Sequence, residues 1–191
     1  MDTDALFPDY KEKFKSLLIL GPPGSKKDSI CKSLSCLGDF FYLSFKEILK
    51  QLDPLSSIGE LCQKYISKGF PIPDEIAIGL WERYMEGLIN AHLYHPKNQL
   101  LILEGFPLNI HQAKALEKSI EVICVISLTV NHLRFLDQEE KTIQSKKMHV
   151  YKEETIKVLS LYPQTLVISI NADQRLIDVF KDILIAIHNK I

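Results

Sequence analysis

An α/β domain with a doubly wound parallel sheet is the fold class this sequence predicts, and three observations predict it. Five short apolar runs, at 16–20, 40–43, 100–103, 121–127 and 166–170, have the brevity and continuity of strands buried on both faces. Longer helical patterns alternate with them, as βαβ units require. The 191 residues, 46% apolar and 25% charged, show no repeat, low-complexity stretch or Gly/Ser linker, so one domain spans 1–191.

The helical patterns fall at 28–35, 45–51, 58–67, 73–91, 110–117 and 174–188. Pro73 followed by Asp74 and Glu75 is a good helix opening, with an acidic first turn on the positive end of the dipole. The stretch 131–161 is rich in charge and lacks a clear period; it predicts helices joined by a short exposed loop. With 23 basic and 24 acidic residues the formal charge is −1, which gives no global field to hold nucleic acid or an anionic membrane. The longest apolar runs, SLLIL, QLLIL and VICVISL, fall far short of the ~18 residues of a membrane helix. MDTDALFPDYKEK lacks the charged-then-apolar order of a signal peptide, so the expectation is a soluble, cytoplasmic protein.

Scattered residues carry little chemistry. Cys31, Cys36, Cys62 and Cys124 form no CxxC pair and read as small buried apolar residues. His92, His95, His111, His132, His149 and His188 show no HxxxH or HExxH spacing and read as exposed or capping. Phe40, Phe41 and Tyr42 read as a buried strand rather than a base-stacking platform. The 23 basic residues divide into 20 lysines and three arginines: Arg83, Arg134 and Arg175.

One segment does point to chemistry. The run SLLIL leads straight into GPPGSKKDS and then a helix. In such a strand–loop–helix, glycines let backbone N–H groups close around phosphate oxygens, the helix N-terminus adds positive charge, and a lysine reaches the outer phosphates. The pattern G-x-x-x-x-G-K is met at Gly21 and Lys27 and broken where Lys26 replaces the second glycine.

Further blocks extend this. GPPGSKKDS resembles the adenylate kinase loop G-x-P-G-S/A-G-K-G-T, with Gly21, Pro23, Gly24, Ser25 and Lys27 in place and Ser29 standing where that family has threonine. GFPIPDEIAIGL is similar to the family's G-x-x-V-P-D-E-I segment, LLILEGFPLNIHQAKAL to its strand and D-G-F-P-R-T-x-x-Q-A block, and KEETIKVL to the helix after its lid. The blocks keep family order across roughly 15–185. By this resemblance the sequence is identified as a divergent member of the adenylate kinase and nucleoside monophosphate kinase family.

The resemblance implies a P-loop nucleoside-kinase fold: a five-stranded parallel sheet with helices on both faces, a helical monophosphate-binding insert at 44–90 and a shortened lid at 137–152. It implies ATP and Mg2+, nucleotides as partners, and reversible γ-phosphoryl transfer to a nucleoside monophosphate, with position and positive charge doing the catalysis. The balanced charge and short apolar runs already predict no nucleic-acid or membrane partner. Carried over residue by residue, Lys27 is the loop lysine and Glu104 replaces the aspartate that orders the magnesium shell through water, with Ser29 as the metal's hydroxyl ligand. Gly21, Pro23, Gly24, Ser25, Lys26 and Ser29 then form the triphosphate loop. Ser44, Lys50, Gly105 and Gln112 fall in the acceptor site, where the family glutamine contacts adenine. Gly69, Pro73 and Asp74 keep the entry to the long helix.

The departures are cationic. Lys50 stands in place of an arginine that grips the acceptor phosphate, which keeps the charge and loses the planar fork. Leu108 replaces the arginine of GFPR. Between Phe135 and Gln174 there is no arginine, and Lys141, Lys146 and Lys147 are the lid's cations before Tyr151. Lys26 and Asp28 stand where the family has glycine, with Lys26 set either to clash with phosphate or to swing outward. The expectation is a nucleotide-binding relative with transfer weak or lost; the alternatives are an active kinase that works through lysines and an interaction domain with an empty loop.

Overall fold

The computed structural model describes residues 13–131 and 143–190. The polar N-terminal stretch, His132, Arg134, Lys141 and positions 137–142 of the expected lid lie outside the described residues.

Five strands, β1 (Phe14–Leu20), β2 (Phe40–Ser44), β3 (Leu100–Glu104), β4 (Ile120–Thr129) and β5 (Val167–Asn171), form one sheet in the order β2-β3-β1-β4-β5. Every neighbouring pair is parallel. The helices are α1 (Lys27–Ser35), α2 (Phe45–Lys50), α3 (Ser57–Ser67), α4 (Asp74–Asn90), α5 (Ile110–Leu116), α6 (Ile143–Glu153) and α7 (Leu176–His188), with a 3-10 segment over Thr155–Leu161.

Side-chain alternation along the strands feeds two cores. Leu18, Leu20, Leu43 and Leu103 face α4 and α5, whose Ala77, Leu80, Trp81, Met85, Ala113 and Leu116 are buried. Leu17, Ile19, Ile102 and Ile126 face α1 and α7 through Ile30, Leu34, Val179 and Ile183. At roughly 1.5–3 kcal/mol for each fully buried large apolar side chain, these two layers dominate the fold's stability. The connections from β1 and β3 run in opposite directions along the sheet, to β2 and to β4, so a crevice opens at the carboxyl ends of those adjacent strands. Gly21 follows β1 there and Glu104 ends β3.

Two expectations need correcting. Cys36 is exposed while the other three cysteines are buried. Phe40, Phe41 and Tyr42 are only partly buried, because β2 is an edge strand with one neighbour. The uncertain stretch resolves, from 143 on, into α6 and the 3-10 segment; α6 buries only Met148 and Tyr151, which is why its period was weak. Among the described residues no helix is long and apolar enough to cross a membrane.

Candidate functional site: a phosphate loop beside a carboxylate

The loop after β1 closes on itself. Ser25 donates from both its backbone N–H (3.2 Å) and its Oγ (2.8 Å) to the Pro22 carbonyl, which buries Ser25. Gly21 is required by space: a Cβ there would lie 2.8 Å from Leu128 Cβ and 2.9 Å from Ser25 Oγ. Gly24 (φ +84°) and Lys26 (φ +60°) both take the left-handed conformation that favours glycine. Lys26 therefore keeps the backbone shape of the glycine it replaces, at a cost of roughly 1–2 kcal/mol, and its side chain is exposed rather than folded into the loop. Pro23 is partly buried, Ser29 is exposed, and both sit on the loop and its helix as expected.

Lys27 is the first residue of α1, and its ammonium turns back into the loop. Nζ donates to the Gly21 carbonyl at 2.7 Å, the Pro22 carbonyl at 3.0 Å and Ser25 Oγ at 3.4 Å. Burial pushes its pKa below the ordinary lysine range, and the nearby Glu104 carboxylate opposes that shift. Lysine, carboxylate and loop backbone thus meet at one end of the sheet.

Glu104 lies beside Ile19 of β1 and Ser44 of β2. Its Oε2 accepts from Ser44 Oγ at 3.0 Å and from the Tyr42 hydroxyl at 3.4 Å. That hydroxyl also stands 3.1 Å from Asp28 Oδ1. Asp28 pairs with Lys32 one turn along α1 at 2.8 Å, and this hydrogen bond holds its carboxyl below the usual range. Tyr42 went unrecognised in the sequence, although strand alternation places it on the same face as Ser44.

The acceptor-side residues do not all converge. Lys50 is exposed and bonded to Glu47 of its own helix at 2.6 Å. Gly105 has φ +74° with only Phe45 Cβ at 4.0 Å, so backbone conformation rather than space calls for glycine. The Phe106–Pro107 bond is cis. Gln112 is fully buried: Oε1 accepts from the Leu108 N–H at 2.7 Å and Nε2 donates to Asp74 Oδ1 at 2.7 Å. Both ends of the Gln112 amide are thus engaged within the protein. Asp74 also accepts from Asn109 Nδ2 and lies 3.1 Å from His111 Nδ1. The Leu108 carbonyl accepts from Thr155 Oγ1 at 2.8 Å. Asn109 and Thr155 escaped notice because their partners are 35 and 47 residues away.

Of the expected lid cations, Lys147 is exposed, and Lys146 donates to the Lys68 carbonyl at 2.8 Å while lying 4.9 Å from the Phe70 ring centroid. Its stem passes over Gly69, where a Cβ would come within 3.3 Å of Lys146 Cδ. The start of α6 is thereby fixed to the α3–α4 turn. Among the described residues the arginines are Arg83, exposed on α4, and Arg175, bonded to Asp178 at 2.6 Å; neither bonds to the loop.

No family model matches the chain. An adenylate kinase of Borrelia garinii subsp. bavariensis is 31% identical over 116 residues, covering 60% of this chain and 52% of that protein. An adenylate kinase of Chloroherpeton thalassium is 31% identical over 121 residues, covering 60% and 53%. A UMP-CMP kinase of Rattus norvegicus is 28% identical over 187 residues, covering 88% and 94%. The chain therefore spans about half the length of the adenylate kinases it matches and nearly all of the UMP-CMP kinase. The chain is thus similar in sequence to adenylate kinases over part of its length and to a UMP-CMP kinase over most of it, and its parallel five-stranded sheet with a glycine-bearing loop at the switch point is consistent with that likeness.

Proposed function

We propose that this chain binds ATP on the loop 21–27 and is a cytoplasmic nucleoside monophosphate kinase relative whose phosphoryl transfer is slow or lost. The observation that carries the reading is a contrast within one crevice. The loop keeps its left-handed turns at Gly24 and Lys26 and its lysine beside Glu104, while both described arginines are exposed and neither bonds to them. Binding needs backbone N–H groups and one cation, and these are present. Transfer needs several donors fixed around the moving phosphoryl group, and one arginine alone is worth ~10³–10⁵ in rate.

In this reading ATP phosphates displace the Gly21 and Pro22 carbonyls from Lys27, and Gly21, Pro23, Gly24, Ser25, Lys26 and Ser29 line the triphosphate. Magnesium fits the chemistry of the donors, because the Glu104 carboxylate at the end of β3 and the exposed Ser29 hydroxyl in the first turn of α1 are hard oxygen ligands. Ser29 would hold it through its hydroxyl and Glu104 through water, and the ion would supply positive charge against the phosphates. The segment 44–90, holding α2, α3 and α4, serves as the monophosphate-binding insert with Ser44, Lys50, Gly105 and Gln112, and 137–152 as a reduced lid. The acceptor is a nucleoside monophosphate.

Calorimetric titration with ATP-Mg, AMP and a bisubstrate dinucleotide tests the reading. Binding of ATP-Mg with weak or absent AMP binding supports it. Tight binding of all three with fast turnover favours an active kinase, and binding of none leaves an interaction domain.

A further inference from the structure

Among the described residues, Glu104 is held through one oxygen. Both the Ser44 hydroxyl (3.0 Å) and the Tyr42 hydroxyl (3.4 Å) converge on Oε2, and Oε1 is bonded to neither. A glutamate has one more rotatable bond than an aspartate, so without such anchors its carboxylate samples several positions. Tyr42 is half-buried on β2, its ring packed against the α1 side of the sheet, and burial keeps the phenol protonated by pushing its pKa up. A phenol has one proton to give. Here two carboxylates lie within its reach, Glu104 Oε2 and, at 3.1 Å, Asp28 Oδ1.

We infer that Tyr42 is a positioning residue: with Ser44 it fixes the Glu104 carboxylate so that Oε1 faces the hydrated magnesium of bound ATP, while Asp28 competes for the Tyr42 proton. This inference rests on the ATP-binding reading above. The competition also gives Asp28 a consequence. Where a glycine would leave Tyr42 wholly to Glu104, Asp28 draws it toward α1.

The test is the gain in ATP affinity that Mg2+ brings, measured by calorimetry as the ratio of dissociation constants without and with the ion. Tyr42→Phe fills the same space, and its thermal midpoint checks the fold. The expected result is a gain reduced about threefold, below the full effect of one hydrogen bond to a charged group because the nearer Asp28 shares the proton, with Mg-free affinity unchanged. Glu104→Gln should abolish the gain, and Tyr42→Phe added to it should do no further harm, since Tyr42 acts through Glu104. Asp28→Gly should raise the gain above the wild-type value. A Tyr42→Phe gain equal to wild type overturns the inference and leaves the ATP-binding reading intact; an unchanged or lower gain in Asp28→Gly overturns the competition. Wild-type protein that binds no ATP with or without Mg2+ overturns the reading and this inference together.

Discussion

Gln112 Nε2 donates to Asp74 Oδ1 at 2.7 Å, joining the start of α5 to the start of α4 across 38 residues of chain. Asn109 Nδ2 adds a bond to each Asp74 oxygen, and Gln112 Oε1 takes the Leu108 N–H. One partly exposed carboxylate thus satisfies two side-chain amides, one of them fully buried. Asp74 is a structural hub before it is anything else.

Asp74→Ala should destabilise the fold by about 2–4 kcal/mol. It strands the Gln112 amide without its acceptor, at roughly 1–3 kcal/mol for a buried orphan, and removes a favourable charge from the first turn of α4. His111 adds little, being mostly exposed. Urea unfolding gives the value; a loss below 0.5 kcal/mol would show that the hub holds nothing.

Lys27→Ala should weaken ATP binding by ~1.5–3 kcal/mol, the range for hydrogen bonds to a charged group. The loss is moderated because ATP must first displace the Gly21 and Pro22 carbonyls. Lys26→Gly should bind ATP as well as wild type or better and be slightly more stable, since glycine takes φ +60° without strain. Equal affinity for Lys27→Ala and wild type would remove Lys27 from the phosphate site.

Turnover with ATP and AMP should lie at least ~10³-fold below the ~1–100 s⁻¹ usual for kinases. Lys50 is tied to Glu47, Lys146 to the Lys68 carbonyl, and Leu108 carries no charge. Leu108→Arg should raise acceptor affinity or rate measurably, though modestly, because a lone arginine acts in a wet and loose site. A coupled assay reading ~10 s⁻¹ or more for the wild type would overturn this expectation.

Alkaline pH should unfold the protein partly through Tyr162. Burial, with Glu117 nearby, raises its phenol to about 12 from the ordinary value of 10. The unfolded chain therefore loses this proton first. The contribution is fully present below pH 10 and is lost between about pH 10 and 12. The hydroxyl is buried without a hydrogen-bond partner among the described residues, so Tyr162→Phe should be neutral or stabilising by up to about 1 kcal/mol at pH 7. It should also flatten stability over that alkaline window, as a pH series of thermal midpoints would show.

The sheet was legible because its signal is local. Runs such as Ser16 to Leu20 announce strands buried on both faces, and the observed β1 differs only in beginning at Phe14, where the N–H bonds to the Ser119 carbonyl. Helix ends moved by a residue or two for similarly local reasons; α7 starts at Leu176 because Arg175 is extended and serves as its N-cap. What stayed hidden depends on pairs far apart in sequence. Nothing near Gln112 announces Asp74, and nothing near Lys146 announces the Lys68 carbonyl. The outward course of Lys26 and the inward course of Lys27 are a matter of side-chain direction, which composition does not carry.

Leu17 and Ile19 of β1 enter one core, and Leu18 and Leu20 enter the other. A strand apolar on both faces has an ambiguity that a one-sided strand lacks. Slipping it by one residue swaps the two sets and buries nearly the same surface, so hydrophobicity alone does not set its alignment. The ends of the strand must do so. At one end is the Phe14 bond to Ser119; at the other is Gly21, whose missing Cβ lets the backbone pass within contact of Leu128. A slip that brought Leu20 to that point would collide with Leu128. The glycine that opens the phosphate loop is therefore also the stop that seats the central strand, and a Gly21→Ala variant should misthread or fail to fold before any effect on nucleotide binding is seen.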